Sequence, residues 1–147
     1  MALTYNWGCF IDWATLGSNI PFSSIIILYL SLLFWTLAYD TIYASQDEKE
    51  DKKLNLYSST LLFGSKKMIF LNLMIITKYF LIIFYGSSLD FGFIFNILVL
   101  TISLINLLDL NLIWKNKPEN ASSYFSRNNY YGISLLFSIL IGSHFNV

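Results

Sequence analysis

Three long apolar stretches constrain the fold of this chain more than any other feature of its sequence. They cover residues 21–42, 68–85 and 91–114. An α-helix needs about 20 mostly apolar residues to cross the hydrocarbon core of a bilayer, and each stretch is close to that length. A fourth run, over residues 130–144, is shorter and interrupted by two glycines. Its apolar centre nevertheless predicts a final membrane span rather than a surface helix.

The composition agrees with a protein that lies in a membrane. Of the 147 residues, 56% are hydrophobic and only 12% are charged, and nine basic residues balance nine acidic ones. A soluble domain is therefore disfavoured, and the absence of net charge argues against nucleic acid as a partner. We expect an all-α transmembrane bundle of about four and a half helices. The predicted helices cover residues 21–45, 62–85, 90–114 and 128–145, with a partial fifth over residues 1–17 that ends at a turn over residues 17–21.

The basic residues are grouped in two loops. Eight of the nine follow either the first or the third long apolar stretch, whereas residues 86–90 contain no Lys or Arg. They are Lys49, Lys52, Lys53, Lys66, Lys67, Lys115, Lys117 and Arg127. Because cytoplasmic loops carry an excess of Lys and Arg, we expect both loops, residues 45–67 and 114–127, on the cytoplasmic side. The ninth, Lys78, lies inside a span and is a candidate functional residue, unless it snorkels to the interface or pairs within the bundle.

Acidic side chains follow the first long stretch without a Gly or Pro between them. If the helix continues through this segment, Asp40, Asp47 and Asp51 lie within about 20° of one line on its surface, and Tyr43 lies close to it. Carboxylates at i and i+4 suit one or two Mg²⁺ ions that bridge to a phosphorylated substrate. The spacing is equally compatible with a solvated helix end of mixed charge.

A longer motif resembles a known family. The segment over residues 34–64, FWTLAYDTIYASQDEKEDKKLNLYSSTLLFG, is similar to the second aspartate-rich motif of the UbiA superfamily, most closely that of the 4-hydroxybenzoate polyprenyltransferases. In that family a YDTxYAxxDxxxD run is followed by KST and LFG. The pattern Asn6-Trp-Gly with Trp13 is similar to the preceding helix, and FSRNNYYG at residues 125–132 resembles the last-helix signature FxxNxxxG. The resemblance covers almost the whole chain.

The resemblance implies an activity and a site. Enzymes of the family transfer a polyprenyl group from polyprenyl diphosphate to 4-hydroxybenzoate in ubiquinone biosynthesis, with Mg²⁺ as cofactor. By this resemblance Asp47 and Asp51 are the catalytic carboxylates that hold Mg²⁺ and the diphosphate, and Asp40 and Tyr43 bind substrate on the same face. Membrane lipid surrounds such an enzyme, in a bacterial inner membrane or the mitochondrial inner membrane.

The chain also departs from the family pattern. Nothing in residues 1–147 resembles the first motif, NDxxDxxxD, which in the family lies in the N-terminal half. In the second motif, Asn55 stands where the family has Gly, and Tyr57 where it has Lys. We therefore expect a single membrane domain that corresponds to the C-terminal half of the enzyme, either truncated or split from a separate N-terminal half with which it works. The alternatives are an inactive remnant and a noncatalytic small membrane protein.

Overall fold

A computed structural model describes residues 2–16, 20–115 and 117–144. The described residues form helices and no strands, which confirms the predicted fold class. The α-helices are α1 (Ala2–Tyr5), α2 (Gly8–Leu16), α3 (Phe22–Ala44), α4 (Glu48–Lys53), α5 (Ser59–Phe63), α6 (Lys67–Ser87), α7 (Phe93–Asp109) and α8 (Ala121–His144). A 3₁₀ turn (Gly64–Lys66) joins α5 to α6, a π-helical turn (Leu110–Trp114) extends α7, and a second 3₁₀ turn (Pro118–Asn120) precedes α8.

Three of the predicted spans are confirmed as helices long and apolar enough to cross a membrane. They are Phe22–Ala44, Ser59–Ser87 and Phe93–Trp114. The fourth, α8, has 24 residues but is not apolar enough to join them, because its first turns carry polar residues. It begins at Ala121, seven residues before the predicted start at residue 128. The three spans make the chain an integral membrane protein.

The N-terminal prediction needs correction. One partial helix was expected over residues 1–17, whereas the chain forms two short helices separated by a turn at Asn6 and Trp7. Aromatic rings hold them against the start of α3, with Phe10 at 4.8 Å from Tyr29 and Trp13 at 5.2 Å from Phe22 between ring centroids. Most of the turn expected over residues 17–21, at 17–19, lies outside the described residues, as does residue 145.

The long helices pack in chain order and then close on the first. Helix α3 contacts α6, α6 contacts α7, α7 contacts α8, and α8 contacts α3. Tyr39 near the end of α3 lies 3.9 Å from Phe125 near the start of α8, between ring centroids. At the other end, the Ser88 hydroxyl donates to Ser24 Oγ. The loops that follow α3 and α7 therefore lie at the same end of the bundle.

A polar network crosses the apolar core between α6, α7 and α8. The Asn106 amide donates to the Tyr79 hydroxyl at 3.0 Å, and the Tyr124 hydroxyl donates to Asn106 Oδ1 at 2.5 Å. One turn further along α7, Asp109 accepts hydrogen bonds from Arg127, at 3.0 Å, and from Tyr131. Because Tyr79, Asn106 and Tyr124 are buried, their hydrogen bonds fix how the three helices face one another.

Candidate functional site

The acidic segment does not continue α3, which corrects the prediction of one carboxylate stripe. Helix α3 ends at Ala44. The Ser45 hydroxyl donates to Ile42 O at 2.5 Å, and the Ser45 amide donates to the same carbonyl at 3.2 Å. This local bonding competes with the next helical turn, as serine does at helix ends. Asp40 therefore belongs to a different helix from Asp47 and Asp51, and the angle computed for a single helix does not apply.

Asp47 and Asp51 remain neighbours, one immediately before the short helix α4 and one within it. Asp47 is the residue that precedes this helix, and the Asp51 amide donates to Asp47 O at 2.9 Å. Asp47 is exposed and Asp51 is half-buried. Within the part of the chain that the structure describes, neither carboxylate forms an ion pair or accepts a side-chain hydrogen bond. Both are free to bind a ligand.

One ion pair joins this acidic helix to the bundle. Lys67 Nζ, at the first residue of α6, donates to Glu48 Oε2. The Lys67 side chain is 4% exposed and the Glu48 side chain 31% exposed. Because Lys67 is buried, solvent screens this ion pair less than it screens an ion pair between two exposed side chains.

The loop after α4 accounts for one departure from the family motif. Asn55, where the family has Gly, has a φ of 52°. This left-handed region favours Gly, and Asn is among the next most tolerant residues. The replacement therefore keeps the turn. Tyr57, where the family has Lys, is fully exposed.

Asp40 and Tyr43 point to different surroundings. Asp40 lines an open cavity of about 490 Å³ together with residues of α3, α8 and the N-terminal turn. Tyr43 is 54% exposed and lies 5.8 Å from Phe125 between ring centroids. The structure thus brings together Asp47 and Asp51. The cavity that contains Asp40 is not lined by either of them or by Tyr43.

Several polar side chains line this cavity beside apolar and aromatic ones. Trp35 Nε1 donates to Asn128 Oδ1 at 2.9 Å across α3 and α8, and Asn6 Nδ2 donates to Thr36 Oγ1 at 3.0 Å. The lining consists of Tyr5, Asn6, Leu32, Trp35, Thr36, Tyr39, Asp40, Asn128 and Asn129. Sequence reasoning assigned no role to Trp35 or Asn128, although Asn128 is the Asn of the FxxNxxxG signature.

Lys78 lies behind this cavity and does not snorkel. It is 1% exposed, with its Nζ 4.2 Å from the centroid of the Trp35 ring and 4.0 Å from that of Tyr79. Among the described residues it forms no ion pair. The rings stabilise the ammonium through cation–π attraction, which is strongest where water is excluded.

The carboxylates present fit a shared metal site rather than one enclosed by this chain. The described residues contain no group of three or more His, Cys, Asp or Glu side chains that could hold a metal ion. Mg²⁺ usually takes one or two carboxylates and completes its six oxygen ligands with phosphate and water. The unpaired Asp47 and Asp51 match that donor set.

The described residues thus form a bundle with three helices of spanning length, a cavity lined in part by polar side chains, and a pair of unpaired carboxylates at one end. The model of the UbiA prenyltransferase family matches residues 1–137, and the chain belongs to that family.

Its relatives are similar over nearly all of this chain. A 4-hydroxybenzoate octaprenyltransferase of Francisella tularensis subsp. tularensis (strain SCHU S4 / Schu 4) is 32% identical over 141 residues, which are 96% of this chain and 49% of that protein. A mitochondrial 4-hydroxybenzoate polyprenyltransferase of Arabidopsis thaliana is 42% identical over 71 residues, or 48% of this chain and 17% of that protein. The chain spans about half the length of the bacterial relatives it matches. No solved structure gives a significant match.

Proposed function

We propose that this chain supplies the second acidic motif of a Mg²⁺-dependent polyprenyltransferase that acts on 4-hydroxybenzoate in ubiquinone biosynthesis. The observation that carries the proposal is the free carboxylate pair of Asp47 and Asp51, held between two membrane helices at one end of the bundle. Family membership and the names of the relatives support the substrates: a polyprenyl diphosphate and an aromatic acceptor.

In this proposal the residues of the chain have separate tasks. Asp47 and Asp51 hold Mg²⁺ against the diphosphate, and the cation stabilises the negative charge that grows on this leaving group. The apolar surfaces of the bundle accommodate the isoprenoid tail. Asp40, which lines the cavity, and Tyr43 bind substrate.

The chain works as one half of the enzyme. With two carboxylates and no third metal-binding side chain beside them among the described residues, it leaves most of the coordination sphere to other groups. An N-terminal half of the family's fold, encoded separately or joined to this chain, supplies the facing motif and most acceptor contacts. We place the complex in a bacterial inner membrane or the mitochondrial inner membrane.

The test is co-expression of this chain with an N-terminal half from a family member, in a strain that lacks the quinone-pathway prenyltransferase. We expect prenyl transfer by the complex and none by the 147-residue chain alone. In the complex, Asp47→Asn and Asp51→Asn should each lower the rate by about 10²- to 10³-fold, as the loss of one transition-state electrostatic contact does elsewhere.

Glu50→Gln is the matched control, since it removes an exposed carboxylate of the same helix outside the proposed pair. It should leave the rate near that of the unaltered complex. Full activity of Asp47→Asn or Asp51→Asn would reject the carboxylate pair as the site. A complex that assembles but never transfers a prenyl group would point to an inactive or noncatalytic protein.

A further inference from the structure

The helix that carries the acidic pair is too short to hold its own orientation. Helix α4 contains six residues, none of them buried, and it is followed by exposed residues over 54–57. Isolated helices of this length are unstable in water, because the cost of nucleation is not recovered over so few residues. Contacts outside the helix must therefore decide which way Asp47 and Asp51 point.

The ion pair between Glu48 and Lys67 is such a contact, and it joins α4 to the bundle. Lys67 is the first residue of α6, the helix that packs on both α3 and α7, and it is 3% exposed. Its position is thus set by the core. The described part of α4 has no other side-chain ion pair or hydrogen bond to the bundle.

The position of Glu48 in the sequence makes this contact directional. Asp47 immediately precedes α4 and Glu48 is its first residue, and at 100° per residue Asp51 lies about 60° from Glu48 around the helix axis. Fixing Glu48 on Lys67 therefore fixes the rotation of α4 and with it the directions of Asp47 and Asp51.

We infer that Glu48 and Lys67 form a positioning pair, which sets the orientation of the Asp47 and Asp51 carboxylates toward their cation. Neither residue touches the substrate, and the inference rests on the proposed function of the acidic pair. Loss of either charge should loosen α4 and weaken cation binding, whereas exchange of the two charges should restore both.

Spin labelling of the full chain in lipid nanodiscs measures how firmly α4 is held. The label is attached at Lys52→Cys, an exposed residue of α4, after Cys9→Ser removes the native thiol. We expect Glu48→Gln and Lys67→Met each to increase label mobility. The double variant Glu48→Lys with Lys67→Glu should return the spectrum toward that of the parent, and Glu50→Gln should leave it unchanged.

Titration of the same samples with Mn²⁺ and inorganic pyrophosphate measures the affinity for the cation. Mn²⁺ prefers oxygen ligands, as Mg²⁺ does, and its free and bound forms are distinguished by electron paramagnetic resonance. Substitution of residues that orient metal ligands commonly lowers affinity by about 10- to 100-fold, and we expect a loss in this range for Glu48→Gln and Lys67→Met. The exchanged pair should recover most of it.

The outcomes separate the two proposals. If Asp47→Asn and Asp51→Asn abolish Mn²⁺ binding but Glu48→Gln leaves affinity or label mobility unchanged, the positioning role is wrong and the proposed site stands. If the parent chain binds Mn²⁺ equally well without the two aspartates, the metal site of the proposed function fails and the positioning role fails with it. Failure of the exchanged pair to recover mobility would also overturn the inference.

Discussion

At the scale of single residues, Lys78 occupies the middle of α6 with its ammonium between two aromatic rings. A charge at the centre of a bilayer costs about 2.5 to 3.5 kcal/mol on insertion scales. Cation–π contact in a desolvated site returns roughly 2 kcal/mol. The lysine is therefore held at a small net cost. Its position inside an apolar span could be predicted from the sequence. Its contact with Trp35, unlike that with the adjacent Tyr79, could not, because it depends on how α3 packs against α6.

We expect Lys78→Met to preserve the fold and raise its free energy of unfolding by about 1 kcal/mol, since the change keeps the length of the side chain and removes the buried charge. Thermal unfolding in a mild detergent measures the effect. Lys66→Met, at an exposed position before α6, is the control and should change little. A marked destabilisation by Lys78→Met would show that the ammonium has a favourable partner other than the two rings.

At the scale of elements, the composition of the apolar stretches was sufficient to predict the long helices, because length and hydropathy alone decide which segments can span. Their junctions were harder to predict. The break after Ala44 depends on the side-chain bond of Ser45 to Ile42 O, which periodicity does not reveal. The expectation that one continuous helix aligns Asp40 with Asp47 and Asp51 was wrong, and the role of the acidic pair stays a prediction.

Close contact between α6 and α7 depends on the absence of a side chain at Gly86. A Cβ there would lie 2.1 Å from Phe95 Cε1, and Phe95 is completely buried. We expect Gly86→Ala to lower the free energy of unfolding by about 1 to 3 kcal/mol, as overpacking of a core does. Thermal unfolding of the purified chain in detergent would measure this loss.

Gly8→Ala is the matched control for that substitution, because a Cβ at Gly8 has no neighbour within 4 Å. It should have little effect. Combining Gly86→Ala with Phe95→Leu should cost less than the sum of the two single changes, since the smaller side chain relieves the clash. Additive losses would mean that the two residues do not meet.

At the scale of the whole molecule, the loops rich in Lys and Arg lie at one end of the bundle. The charge pattern had placed them together, and the packing of Tyr39 on Phe125 agrees. Charge bias also predicts that this end faces the cytoplasm. The sequence could not predict the cavity beside Asp40, because its walls come from the N-terminal turn, α3 and α8, and Trp35 and Asn128 alone are 93 residues apart.

Cysteine accessibility tests this orientation in a chain that carries Cys9→Ser. We expect single cysteines at Ser65 and Ser122 to react only from the cytoplasmic side and one at Ser87 only from the opposite side. All three positions are exposed. Labelling of Ser65 and Ser122 from opposite sides would mean that an odd number of crossings separates them.

The hydrogen bond from Trp35 to Asn128 has a consequence for the synthesis of the chain. The two residues are 93 positions apart, and at 5 to 20 residues per second the ribosome needs about 5 to 20 s to pass from one to the other. Through that interval the indole of Trp35 lacks its acceptor on α8, while three spans are already being inserted. This hydrogen bond between α3 and α8 is therefore among the last contacts of the bundle to form.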